Sequence, residues 1–233
     1  MKSKKKASAG KTAAKTKSFI LTDKSPFSVK EAYKALRTNV TFSLPGNDAK
    51  CIGLTSAERA EGKSTNAINL GIAFAQVGKR VIILDCDMRL PTVAIKLGTS
   101  SRPGLSDLLV GESVPEEVIR TVQENLDILP AGQIPKDPTG LLASDMMAKL
   151  IESLRKVYDY IIIDLPPVTT VTDAAILSSQ IDGFLLVVRH EATDHRDIQR
   201  MLRQLELAEA KILGFIYNDA PVDQKKYYSH YYA

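Results

Sequence analysis

Apolar, β-branched runs of about one strand's length recur along the chain, separated by stretches with helical spacing. The runs cover residues 51–55, 80–85, 126–129, 160–164, 183–189 and 211–217. They are apolar throughout instead of alternating with polar residues, the pattern of strands covered on both faces. After the first run, Ile68, Leu70, Ile72, Ala73 and Val77 supply the apolar side of a helix that Gly78 can end. Further helical patterns span 140–157 and 193–208. Ahead of all of these, Ser28-Val29-Lys30-Glu31 has capping-box spacing and predicts a helix through Tyr33, Leu36 and Val40 toward Phe42. Regular alternation of strand and helix implies an α/β fold: a mostly parallel sheet with helices on both faces and ligands at the carboxyl ends of the strands.

The 233 residues suffice for one large domain but not for two. We read residues 1–18 as a disordered basic arm, 19–218 as the folded domain and 219–233 as a tail. Net charge is +4, yet the first 17 residues carry seven lysines and no acid, which leaves −3 for the remainder. The basicity therefore belongs to the arm, which is either a solvated extension or a segment lying near anionic lipid or nucleic acid. Without a broad basic face, the domain is not expected to bind nucleic acid. Cys51 and Cys86 fall in or beside strands and read as buried thiols. The longest apolar runs are strand-sized, so a soluble cytoplasmic protein is expected.

Between the first run and its helix lies Ala57-Glu58-Arg59-Ala60-Glu61-Gly62-Lys63-Ser64-Thr65. This composition at the mouth of a helix reads as a phosphate-binding loop. Backbone N–H groups and the helix N-terminus face an anion, Lys63 reaches the β- and γ-phosphates, and Ser64 can ligate Mg²⁺. Two other apolar runs end in carboxylates, one in Asp85-Cys86-Asp87 and the other in Asp164. Each could simply cap a turn. Beside a phosphate loop they also suit the Mg²⁺ that a nucleoside triphosphate requires, with Asp87 and Asp164 on the metal side. Asp85 would accept or orient a proton of an attacking hydroxyl.

These residues resemble the bacterial tyrosine kinases of the polysaccharide co-polymerase system, in their stand-alone cytoplasmic form, over nearly the whole chain. The loop with Lys63 and Ser64 resembles Walker A, Ile83-Leu84-Asp85-Cys86-Asp87 resembles Walker A′, and Ile161-Ile162-Ile163-Asp164 resembles Walker B. A tyrosine-rich terminus is the fourth hallmark: Tyr227, Tyr228, Tyr231 and Tyr232 are half of the chain's eight tyrosines. The resemblance implies a P-loop NTPase-like fold, ATP and Mg²⁺ as cofactors, and autophosphorylation of the tail between subunits of a ring. It also implies that Glu31, Lys34 and Arg37 lie between subunits and that Asn218 reads adenine. The implied partners are a membrane adaptor that recruits the kinase to the inner face of the membrane and a protein tyrosine phosphatase. The implied role is regulation of capsule or exopolysaccharide production. Arg59-Ala60 stands where Pro-Gly is usual, so a left-handed backbone at Ala60 would strain the loop and weaken nucleotide binding. Gly140 stands where glutamate is usual. Partitioning or cell-division ATPases share the three motifs, but they carry a lysine where this chain has Glu58. A nucleotide-binding adaptor without transfer activity is the remaining alternative.

Overall fold

The computed structural model describes residues 19–221. The basic arm and the four tail tyrosines lie outside the described residues. Seven strands form one sheet: β1 (Lys50–Ser56), β2 (Val81–Asp85), β3 (Arg120–Gln123), β4 (Leu126–Leu129), β5 (Tyr160–Asp164), β6 (Gly183–Arg189) and β7 (Ile212–Asn218). Their spatial order is β3-β4-β2-β5-β1-β6-β7, parallel throughout except for the β3–β4 pair. The helices are α1 (Phe27–Ser43), α2 (Lys63–Ala75), α3 (Val93–Leu97), α4 (Leu105–Leu109), α5 (Pro115–Val118), α6 (Pro138–Leu142), α7 (Asp145–Arg155), α8 (Asp173–Ile176) and α9 (His195–Leu207).

The all-apolar strands are central because each needs cover on both faces. Every residue of β2 and β5 is buried. Helices α1 and α2 cover one face, with Val40, Ile68, Leu70 and Phe74 packed on Ile52, Ile83 and Ile162. Helices α7 and α9 cover the other, with Met147, Ile151, Met201 and Leu205 grouped with Ile82, Ile161 and Leu186. The Phe74 ring stacks on Tyr160 at a centroid distance of 3.7 Å. Cys51 and Cys86 are both buried and free. No helix among the described residues is long and apolar enough to cross a membrane.

Three local expectations change. The capping box at Ser28 does not form: α1 begins at Phe27 with Pro26 as its cap residue and no side-chain cap. That start places Ser28 inside the first turn, and Glu31 pairs with Lys34 at 2.7 Å instead. The 140–157 pattern splits into α6 and α7 because Ser144 Oγ accepts from the Met147 N–H at 3.3 Å and starts a new helix. Asp137 caps α6 by accepting from the Gly140 N–H at 2.9 Å, and a Cβ at Gly140 would stand 2.3 Å from that carboxylate. Gly140 thus makes room for the cap. Finally, α2 ends at Ala75, so Val77 lies beyond it and is exposed, while Gly78, at φ +77°, turns the chain toward β2.

Phe74 is 1% exposed and ties α2 to the central sheet. Phe74→Ala should cost about 3–5 kcal/mol in urea denaturation; a loss below about 1 kcal/mol would contradict this packing.

Candidate active site

The phosphate loop joins β1 to α2, and two of its residues have left-handed backbones: Gly62 at φ +100° and Ala60 at φ +60°. Gly62 is also crowded, since a Cβ there would stand 2.2 Å from the Asn218 amide nitrogen. That nitrogen donates to the Glu61 carbonyl at 2.8 Å, so the end of β7 holds the loop. The Glu61 side chain is 3% exposed and turns inward. It accepts from the Glu58 N–H at 3.1 Å and from the Thr193 hydroxyl. Ala57 is buried, and its carbonyl accepts from the Thr169 hydroxyl. Glu58, Arg59 and Ala60 are exposed, and Thr65 is half-buried. The N–H groups that open α2 at Lys63, Ser64 and Thr65 have no acceptor within their helix and are free for an anion.

Lys63 is only 8% exposed. Burial lowers its pKa, opposed by the charges of Asp164, Asp87 and Glu61. Arg59, though exposed, brings positive charge close enough to act on both Lys63 and Asp87.

The acidic residues come from adjacent strands. Asp85 and Asp164 are register partners in the β2–β5 pair. One Asp85 oxygen accepts from the N–H groups of Thr92 and Val93, at 3.1 and 3.0 Å, and so caps α3; the other has no partner. Neither Asp164 oxygen has a hydrogen-bond partner among the described residues. Burial pushes the Asp164 pKa up to about 7, opposed by the Ser64 hydroxyl and the Lys63 ammonium nearby. Burial and the Asp164 charge raise that of Asp85 as well. Asp87 is half-buried, raised by burial in the same direction, and accepts from the Leu90 N–H at 3.1 Å.

Several participants carried no signal in the sequence. The Thr92 hydroxyl donates to Ser64 Oγ at 2.8 Å. The Arg89 guanidinium binds the fully buried Asp173 and donates to the Thr139 hydroxyl at 2.8 Å, which in turn donates to Asp173 at 2.9 Å. This triad fastens the Asp87 turn to α6 and α8. A cavity of about 370 Å³, lined by Lys50, Arg155, Asp182 and Lys211 among others, opens at the amino ends of the strands, away from these carboxylates. Among the residues that the resemblance puts between subunits, Glu31 and Lys34 pair on α1, and Arg37 donates to the Ala73 carbonyl of α2 at 2.8 Å.

The orphaned oxygens of Asp85 and Asp164 beside the Ser64 hydroxyl fit a Mg²⁺–nucleotide pair. A hydroxyl with one or two carboxylates is a donor set that suits Mg²⁺, which is usually held by such groups together with phosphates and water.

Residues 49–215 match the family model described as an AAA domain. The chain is 36% identical over 202 residues to tyrosine-protein kinase YwqD of Bacillus subtilis, covering 86% of this chain and 85% of that one. The chain belongs to the bacterial tyrosine-kinase family. The crystal structure of the chimerical protein CapA2B2 superposes with a TM-score of 0.80 at 36% identity, covering 85% of this chain and 87% of that one. The kinase domain of the Escherichia coli tyrosine kinase ETK gives 0.78 at 29%, covering 84% and 78%. The septum site-determining protein MinD of Pyrococcus horikoshii, complexed with Mg-ADP, gives 0.61 at 28%, covering 72% and 70%. The bacterial tyrosine kinase fold is thus matched better than that of the cell-division ATPase.

A carboxyl whose folded pKa is raised favours the protonated folded state, so its contribution to stability is present below its unfolded pKa and lost as pH rises through the folded one. Free of metal and nucleotide, the protein should lose stability as pH rises from about 4 to about 7, through the neighbouring Asp85 and Asp164 carboxyls. Asp164→Asn should flatten this slope in urea titrations with EDTA, and an unchanged slope would refute the assignment. Ala60 has the left-handed backbone that the loop requires, at φ +60°. A Cβ there is strained, so Ala60→Gly should stabilise the fold by about 1 kcal/mol in urea denaturation, and no gain would refute the strain.

Proposed function

We propose that the chain transfers the γ-phosphoryl group of ATP to tyrosines of its own tail, Tyr227, Tyr228, Tyr231 and Tyr232, presented by a neighbouring subunit. The observation that carries this reading is the convergence of the Lys63 loop with unpartnered, buried carboxylates at Asp85 and Asp164, in a chain of this family. Lys63 and the α2 N-terminus bind the phosphates. Ser64, Asp164 and Asp87 hold Mg²⁺, which when bound neutralises charge on the transferring group. The unpartnered oxygen of Asp85 takes the tyrosine proton as the phenolic oxygen bonds to phosphorus, the β–γ bridging bond breaks, and ADP leaves. Asp85 is fully buried, whereas Asp87 is half-buried.

A ring of subunits supplies the tail in trans, with α1 at the contact. Glu31 and Lys34 are available there as a pair, while Arg37 must leave the Ala73 carbonyl to reach a neighbour. Asn218 would read adenine through its side-chain oxygen, because its nitrogen is engaged with the loop. A membrane adaptor that activates the kinase and brings it to the inner face of the membrane, an opposing protein tyrosine phosphatase, and control of capsule or exopolysaccharide synthesis complete the proposal. Glu58 argues against the partitioning ATPases, since it puts a negative charge where they have a lysine.

Phosphosite mass spectrometry after incubation with Mg²⁺ and ATP, with and without an adaptor's cytoplasmic segment, tests the proposal. Phosphate is expected on Tyr227–Tyr232 in the wild type and reduced at least about a hundredfold in Lys63→Ala. ATP hydrolysis with no phosphotyrosine would favour the ATPase, and binding without turnover the silent adaptor.

A further inference from the structure

Thr92 occupies the cap position of α3, where a threonine hydroxyl ordinarily accepts from the first turn of its own helix. It makes no such bond. Asp85 caps α3 in its place, accepting from the N–H groups of Thr92 and Val93. The Thr92 hydroxyl is thereby released and donates across to Ser64 Oγ at 2.8 Å. One residue thus touches both halves of the site, the Asp85 carboxylate through its backbone and the phosphate-loop serine through its side chain.

The consequence lies in the directions left to Ser64. A hydroxyl has one proton and two lone pairs. With one lone pair taken by Thr92, the Ser64 hydroxyl keeps its proton and its second lone pair for other partners, and the Asp164 carboxylate lies next to it. The bond from Thr92 thus narrows the directions in which that second lone pair can point. We infer that Thr92 is a positioning residue for the metal side of the site, fixing the Ser64 hydroxyl so that its free lone pair meets the Mg²⁺ that accompanies the nucleotide. The inference rests on the reading of Ser64 as a metal ligand.

The experiment measures the Kd of ADP by calorimetry in Mg²⁺ and in EDTA for the wild type, Thr92→Val, Thr92→Ser and Ser64→Ala. Thr92→Val keeps the shape and the backbone bond to Asp85 but has no hydroxyl. It should lose about tenfold of the affinity that Mg²⁺ adds while its Kd in EDTA stays within about twofold of wild type. Thr92→Ser should restore the Mg²⁺ effect. If Thr92→Val does not fold, Thr92→Ala is read against Thr92→Ser in the same way. Equal losses in Mg²⁺ and EDTA would overturn the inference, because Thr92 would then only shape the loop. A full Mg²⁺ effect in Thr92→Val alongside its loss in Ser64→Ala would overturn the role of Thr92 alone. A full effect in both would remove the metal role of Ser64 and this inference with it.

Discussion

Two carboxylates buried side by side, Asp85 on β2 and Asp164 on β5, set the terms for the rest of the site. Their strands are neighbours in the middle of a sheet covered on both faces, so neither side chain can turn to water. Burying an unpaired charge is costly, and the structure relieves only part of that cost. Asp85 receives two backbone N–H groups from the start of α3, while Asp164 has the Lys63 ammonium near it but no hydrogen-bond partner. Raised pKa values follow directly, as does the fit to a cation arriving with nucleotide. The apo site favours protons where the bound site would hold metal, so binding couples to proton release.

The central part of this arrangement was legible because burial leaves a strong imprint on sequence. β5 and β6 have the boundaries that their apolar runs predict, and β1, β2 and β7 shift by one residue. A carboxylate ending an apolar strand stands out against its neighbours, and so Asp85 and Asp164 could be named in advance. β3 left no such imprint. As an edge strand with alternating burial it contains only Val122 as a strongly apolar residue. The helix starts were less legible still, because several hydroxyl and acidic residues compete for each cap. Ser144 wins one within a pattern that otherwise reads as continuous helix, and Ser28 loses another to Pro26.

The side chains that hold the site in place were hidden for a different reason. Thr193 is 132 positions from Glu61, Asp173 is 84 from Arg89 and Thr92 is 28 from Ser64. A polar residue in a loop carries no periodicity, and a single chain does not disclose which distant partner it meets. Even a recognised motif left this open. Glu61 belongs to the phosphate loop by sequence, yet its carboxylate turns inward and fastens the loop to Thr193, just ahead of α9.

The loop's charge also bears on why this fold would act as a kinase here and not as a water-directed ATPase. Lys63, Arg59 and Lys96 are the cations acting on the carboxylates, against Asp85, Asp87, Asp164 and the inward-turned Glu61. With every acid ionised the local balance is negative, which disfavours bare ATP and demands a divalent cation. The exposed Glu58 adds to that excess where related ATPases have a lysine. A site poor in positive charge of its own stabilises the transferring phosphoryl group weakly until further positive charge arrives. Positive charge from a partner would supply that stabilisation, which is the physical argument for the assembly and the adaptor proposed above.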